Sequence, residues 1–223
     1  MDLVLAMDLR HNLVVHGKMG HRETYKPLDW GVSPTAEPVG FVRAVAPKYI
    51  YIADLDRIEG TGSHDEIVRQ CAHEVTCCYV DRGCRSPDDF LVGDRIENIV
   101  GTETGGNDLG AYRGGFLSID IKSGKVIPTG EAPTEILASA NEWNFNGCII
   151  LDVSAVGTEA GLSPALLSEM REAYRGKLFY GGGVADRSDL EALSSAGFDG
   201  AIIATALHKG IIPLEWIRRG TFC

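Results

Sequence analysis

Two aspartates are the first candidates for acid–base chemistry. Asp8 and Asp120 lie 112 residues apart, half the length of the chain, and each is followed by one apolar residue and then a base, Arg10 or Lys122. Two carboxylates on opposite sides of a small molecule can divide the work of proton transfer, one taking a proton while the other gives one. A second signal is Gly181-Gly182-Gly183, with Ala204-Thr205 downstream. Glycine has no Cβ, so the backbone N–H groups of such a loop can close around an anion such as phosphate. Lys122 adds another possibility. It shares a strand face with Asp120, and a buried lysine can form a Schiff base or protonate a carbanion, the chemistry of a carbon–carbon lyase or decarboxylase.

Such groups need a scaffold, and the chain supplies one by repeating itself. Residues 5–15 (LAMDLRHNLVV) echo 117–127 (LSIDIKSGKVI), and 51–62 echo 149–161, both apolar runs ending in Asp before a Gly-Thr loop. Residues 79–90 echo 180–190, with Gly83 matching Gly183 and Asp89 matching Asp189, and 99–104 echo 202–207 through Thr102 and Thr205. The matches keep their order, so each half holds four strand-like units. Runs such as YIYIA (49–53), CIIL (148–151) and AIIA (201–204) are continuously apolar, as parallel strands buried on both faces require. Between them lie helical spacings (Ile67, Cys71, Val75; Leu190, Leu193, Ala196) and start signals. Ser63-x-x-Glu66 and Ser188-x-x-Glu191 have capping-box form, and Ser86-Pro87 and Ser163-Pro164 place a capping serine before proline. Eight strands alternating with helices, duplicated four plus four, predict an α/β fold: a (β/α)8 TIM barrel of two half-barrel repeats, one domain over 1–223.

Composition narrows the partners. Net charge is −10 from 21 Lys+Arg and 31 Asp+Glu, and there is no basic stripe, which argues against nucleic acid. No apolar stretch reaches the ~18–20 residues of a membrane span, and MDLVLAMDLR reads as a buried first strand, not a signal peptide. Cys71, Cys77, Cys78 and Cys84 have no known zinc spacing, and free thiols in a cytoplasmic protein are the expectation. No metal site is expected, and the oligomeric state is open.

In a barrel of this kind the site lies at the C-terminal ends of the strands. Those ends carry Asp8, Asp54 with Asp56, Asp81, Thr102, Asp120 with Lys122, Asp152, Gly181–Gly183 and Ala204-Thr205. Asp after a strand also caps turns and helices, which competes with a functional reading at Asp54, Asp56, Asp81 and Asp152. Asp8 and Asp120, on strands that face each other, are the candidate catalytic pair. Gly182, Gly183, Ala204 and Thr205, with Arg82, Thr102, Lys122 and Asp152, are the candidate contacts to a small phosphorylated substrate.

The segments AMDL (6–9), SIDIKSGKVIPTG (118–130), YGGGV (180–184) and ATALHKG (204–210) resemble the histidine-biosynthesis barrels, over nearly the whole chain. With GKMGHRETYKPL (17–28) and ILDVSAVGTEAG (150–161), the likeness is closest to the isomerase-related proteins of methane- and methyl-metabolising microbes. The resemblance implies a barrel and an Amadori-type aminoaldose–aminoketose isomerisation. It also implies base and acid roles that fall on Asp8 and Asp120, with no metal or organic cofactor. There are departures. Where the family has Gly-Gly after strand 3, for a first-half phosphate, this chain has Asp81-Arg82-Gly83-Cys84-Arg85. His16 replaces a Lys or Arg, Gly130-Glu131 replaces Gly-Trp, and Val156-Gly157-Thr158 replaces Asp-Gly-Thr. The second-half phosphate grip is retained and the first-half grip is rebuilt. The resemblance therefore implies an isomerase of a substrate with one phosphate, a lyase and a non-catalytic phosphate-binding barrel being the other readings.

Overall fold

Continuous apolar strands can bury both faces only if the sheet closes on itself or is covered on both sides, and here it does both. The computed structural model describes residues 1–17, 20–156 and 162–222. Eight strands, β1 (Asp2–Arg10), β2 (Tyr49–Asp54), β3 (Cys77–Asp81), β4 (Ile96–Gly101), β5 (Phe116–Lys122), β6 (Gly147–Asp152), β7 (Lys177–Gly181) and β8 (Gly200–Ile203), pair in parallel with their chain neighbours. β8 pairs with β1, Val4 opposite Ile202, so the sheet is a closed barrel and the fold is the (β/α)8 TIM barrel.

Strand alternation divides the side chains into two layers. Met7, Leu9, Ile119 and Ile121 face outward and join Phe41, Leu137 and Leu193 beneath the helices. Burying each such side chain contributes ~1.5–3 kcal/mol. The inward residues are Val4, Tyr79, Ile99, Phe116, Ile149, Phe179 and Ile202. Three rings plug the barrel: Tyr79 lies 5.2 Å from Phe116 and 5.5 Å from Phe179, and the two phenylalanines are 5.4 Å apart. The interior is thus a packed floor, and a cavity opens above it, at the C-terminal mouth.

Helices α1 (Pro38–Val45), α2 (Leu55–Glu59), α3 (Asp65–His73), α4 (Pro133–Ala140), α5 (Pro164–Ala173), α6 (Arg187–Ser195), α7 (Thr205–His208) and α8 (Leu214–Arg219) cover six of the eight connections. The other two, after β3 and β4, carry only the 3-10 turns Pro87–Asp89 and Leu109–Ala111, where strict alternation predicts helices. Gly105, Gly106, Gly110, Gly114 and Gly115 crowd the second of these segments, and each glycine inside a helix costs ~1 kcal/mol. The wall there is covered by rings: Tyr112 stacks between Phe90 at 6.0 Å and Phe145 at 6.1 Å. The predicted caps also move. α3 is entered through His64 and not Ser63, and α6 is capped by Asp186, whose carboxylate accepts from the Ser188 and Asp189 N–H groups. Ser86 and Ser163 precede their helical turns without a side-chain cap bond.

The duplication is visible in detail. β1 and β5 each run on into an antiparallel hairpin, to Leu13–His16 and to Lys125–Val126. Both hairpins turn through two left-handed residues, His11-Asn12 (φ 51° and 62°) and Ser123-Gly124 (φ 52° and 75°). The loops after β3 and β7 share one brace: Asp89 accepts the Arg85 N–H, and Asp189 the Ala185 N–H, both at 2.8 Å. No helix among the described residues is long and apolar enough to cross a membrane.

Candidate active site

A cavity of about 280 Å³ opens at the C-terminal mouth, lined by residues of six strands and by the loops that follow β4 and β7. Asp8 and Asp120, which alternate along their strands with the outward residues just described, both point into it. β1 and β5 are four strands apart in a ring of eight, so the two carboxylates stand on opposite walls.

Their surroundings differ. Asp120 is nearly sealed from solvent and firmly held: the Ser118 hydroxyl donates to Oδ1 at 2.7 Å and the Glu103 N–H to Oδ2 at 3.2 Å. Asp8 is half-buried and opens to the cavity. Burial pushes the Asp8 carboxyl up to about 7, Arg22 opposing that rise and Asp81 adding to it. Burial also pushes Asp120 up to about 7, with Asp81 raising it further while the Ser118 and Glu103 donors oppose. Each carboxyl is therefore balanced between acid and base near neutrality, the condition under which proton transfer in either direction is easiest.

Three groups that the strand-end pattern did not bring forward, Tyr51, Glu103 and Arg22, join Asp81 around the acidic wall. Asp81, noticed as a departure from the resemblance, lines the cavity with Tyr51 and Glu103. Its Oδ1 accepts the Gly83 N–H at 3.1 Å, and its Oδ2 accepts the Tyr51 hydroxyl at 3.3 Å. Burial raises the Asp81 carboxyl, and burial beside three carboxylates raises the Tyr51 phenol. Arg22 reaches over from the loop that follows the first hairpin and grips Glu103 through both terminal nitrogens, at 3.2 and 2.8 Å. Arg10 supports that loop by donating to the Arg22 carbonyl, besides pairing with Glu59 at 3.0 Å.

The opposite wall is built differently. Gly182 and Gly183 line it at φ 93° and 80°, conformations that favour glycine. A Cβ on Gly182 would lie 2.2 Å from the Asp152 carbonyl oxygen, and one on Gly183 would lie 2.9 Å from Ala155 Cβ. Ala204 and Thr205 complete the rim, His16 Nε2 approaching Thr205 Oγ1 at 3.3 Å. Beside them His208 is buried, its Nδ1 without a partner among the described residues, and burial with the neighbouring His16 lowers it to about 4.

Three expected ligand contacts are held elsewhere. Arg82 is buried outside the cavity, tied to Asp65 at 2.6 Å and the Asp89 carbonyl at 2.9 Å, because its long side chain bridges two loops. Thr102 lies behind Asp120 and accepts its backbone N–H at 3.0 Å, so it positions the carboxylate. Asp152 falls on the outward phase of β6 and closes its own turn, accepting from the Ser154 N–H at 3.0 Å and the Ser154 hydroxyl at 2.6 Å. Asp54 and Asp56 are structural too: Asp54 accepts the His64 N–H at 2.8 Å and Asp56 the His11 N–H at 3.0 Å. Lys122 lines the cavity but is exposed at its rim. Gly157 and Thr158 lie outside the described residues, and no group of three or more His, Cys, Asp or Glu among those described is arranged to hold a metal ion.

Comparison with known proteins places this geometry in context. The family model described as "Histidine biosynthesis protein" matches residues 2–213. An uncharacterized protein of Methanocaldococcus jannaschii is 32% identical over 226 residues, covering 97% of each chain. The 1-(5-phosphoribosyl)-5-((5-phosphoribosylamino)methylideneamino) imidazole-4-carboxamide isomerase of Thermus thermophilus is 28% identical, over 96% of this chain and 97% of its own. The isomerase of that same name in Methanocaldococcus jannaschii is 27% identical, over 75% of this chain and 78% of its own.

Proposed function

Because this chain belongs to the histidine biosynthesis protein family, we propose that it is an isomerase of a small molecule carrying one phosphate, with Asp8 and Asp120 as its base and acid. The carrying observation is the pairing of two carboxyls, each raised to about 7, on opposite walls of one cavity. In an Amadori-type isomerisation, the acid protonates the ring oxygen of an aminoaldose and opens it to an iminium. The base then removes the proton from the adjacent carbon to give an enolamine. The base delivers that proton to C1 while the enol hydroxyl returns one to the acid, giving the aminoketose. Balanced carboxyls suit both steps, and the cycle leaves each in its starting state.

The phosphate belongs to the Gly182, Gly183, Ala204 and Thr205 wall, where backbone N–H groups and the Thr205 hydroxyl can surround an anion without a side chain in the way. The equivalent loop of the first half is already filled: Asp81 itself takes the Gly83 N–H. A second phosphate there would meet a carboxylate in its place. The isomerases compared above have names with two phosphoribosyl groups. Methanocaldococcus jannaschii has both such an isomerase and an uncharacterized relative, and this chain is more similar to the latter. The first point supports a one-phosphate substrate, and the second supports a substrate other than that isomerase's. The lyase reading loses ground because Lys122 stands in solvent at the rim, whereas an amine that forms a Schiff base is activated by desolvation.

The test is proton exchange. Incubated in D2O with a panel of aldose and aminoaldose monophosphates, the protein should wash deuterium into the carbon next to the carbonyl, as read by NMR. Asp8→Asn and Asp120→Asn should each slow exchange by roughly 10²–10⁴. Undiminished exchange in both variants, or full rescue of a histidine auxotroph lacking the isomerase, overturns the reading.

A further inference from the structure

The one-phosphate reading leaves open what the rest of the substrate is, and the acidic wall bears on that. Asp8, Asp81, Asp120 and Glu103 all line the cavity, against Arg22 and the exposed Lys122. Arg22 is already committed to Glu103 through two hydrogen bonds. The other three carboxylates therefore face the cavity around Tyr51, each buried or partly buried, and Asp81 retains lone pairs beyond those that accept from Gly83 and Tyr51. Across the cavity, the buried His208 Nδ1, without a partner among the described residues, marks a second polar wall with its hydrogen bonding incomplete. The volume, about 280 Å³, is at the small end of the ~300–1,000 Å³ typical of ligand sites. The site is thus a short cavity with an anion cradle on the β7–β8 side and a surplus of carboxylates spread over β1, β3 and β5.

Resting on the one-phosphate reading, we propose that Asp81 is a specificity-determining residue that receives a protonated amine of the substrate, so that the substrate is a small phosphorylated amine. Where the loop after β7 lines the cavity with glycines, the loop after β3 gives its Gly83 N–H to Asp81, exchanging an anion site for a cation site. An ammonium there meets Asp81 and Asp120 within the acidic wall and the Tyr51 hydroxyl oxygen beside them. A bound cation also offsets the burial that each of the three carboxylates suffers around this cavity.

The consequence extends to protons. The titratable and charged groups lining the cavity are Asp8 from β1, Tyr51 from β2, Asp81 from β3, Glu103 after β4, Asp120 and Lys122 from β5, Arg22 and Tyr25 after the first hairpin, and, on the phosphate side, His16 and His208. Burial holds part of the Asp8 and Asp120 population protonated near neutrality and shifts Asp81 in the same direction, and an arriving ammonium drives such protons off. Binding of the amine should therefore release protons.

The experiment titrates the protein calorimetrically with four probes: inorganic phosphate, aminopentyl phosphate, hydroxypentyl phosphate and pentane bisphosphate. Aminopentyl phosphate should bind roughly tenfold or more tighter than hydroxypentyl phosphate, with the bisphosphate weakest, and Asp81→Asn should erase most of the amine's advantage. Repeating the wild-type titrations in buffers of different ionisation enthalpy should show more proton release for the amine than for the hydroxyl probe, a readout that needs no variant. Equal affinities and equal proton release for those two probes, with inorganic phosphate still bound, overturn the amine proposal alone. A bisphosphate that binds tightest does the same. If wild type fails to bind inorganic phosphate, the one-phosphate reading falls and the amine proposal with it.

Discussion

Replacing Asp120 by Asn should make the protein more stable in mild alkali while removing its activity. The wild-type carboxyl ordinarily titrates at 3.8 and is raised to about 7 in the fold, chiefly by burial. Above pH 7 both folded and unfolded chains carry the charge, and the folded chain bears the full cost of keeping it buried. Below 3.8 both are neutral and no cost remains, so the penalty grows as pH climbs through that interval. A rise of about three units at ~1.4 kcal/mol per unit puts the penalty near 4 kcal/mol as an upper bound. Asparagine keeps the shape but offers one acceptor oxygen for the two donors, Ser118 Oγ and Glu103 N–H, which gives back roughly 1–2 kcal/mol. The net expectation at pH 8 is a gain of about 1–3 kcal/mol, or roughly 2–10 °C in Tm for a chain of this size. At pH 4 the gain should vanish or reverse. Thermal and urea unfolding at the two pH values measure this directly, and the deuterium-exchange assay should show a loss of roughly 10²–10⁴ in rate. A variant less stable than wild type at pH 8 would refute the claim that Asp120 is a buried charge held at a cost. It would then be a turn or strand-end brace like Asp152.

Other expectations follow from neighbouring geometry. Gly183→Val should weaken phosphate binding, since its Cβ would fall 2.9 Å from Ala155 Cβ at a positive φ; unchanged affinity by calorimetry would place the anion elsewhere. Arg22→Ala removes the cation that opposes the rise of Asp8, so the Asp8 limb of the pH–rate profile should move to higher pH, and a profile that stays put counts against the assignment. Asp189→Ala strips the acceptor from the Ala185 N–H in the loop that carries the glycine cradle, and should cost roughly 1–3 kcal/mol in urea unfolding together with weaker phosphate binding. Asp89→Ala, the matching brace in the other half, should lower stability similarly without altering phosphate affinity.

Much of the architecture is local and therefore readable from residue order. The apolar runs define strands whether or not the rest of the fold is known, and alternation by two determines that Asp8 and Asp120 point inward when Met7 and Ile119 point outward. The internal echo identifies the paired hairpins and the matched loops, because duplicated sequence folds into duplicated local structure. The loss of the helices after β3 and β4 does not follow from alternation. Those segments are interrupted by proline in one case and crowded with glycine in the other, and aromatic stacking around Tyr112 covers that wall instead.

Side-chain destinations are another matter. Arg82 and Arg22 are both arginines in loops near the mouth, yet one is spent on Asp65 and the Asp89 carbonyl behind the wall and the other crosses to Glu103. Thr102 and Thr205 occupy matched positions in the repeat, yet the first supports Asp120 from behind while the second lines the cavity. Nothing in the spacing separates these cases. A long or rotatable side chain takes whichever partner three-dimensional proximity offers, and partners such as Arg22 and Glu103 are 81 residues apart. The same holds for the charge state of the acidic wall. Residue order puts an aspartate at the end of each of several strands. Only closure of the barrel brings Asp8, Asp81 and Asp120 around one cavity, where loss of solvent raises all three and the charge on Asp81 raises the other two further.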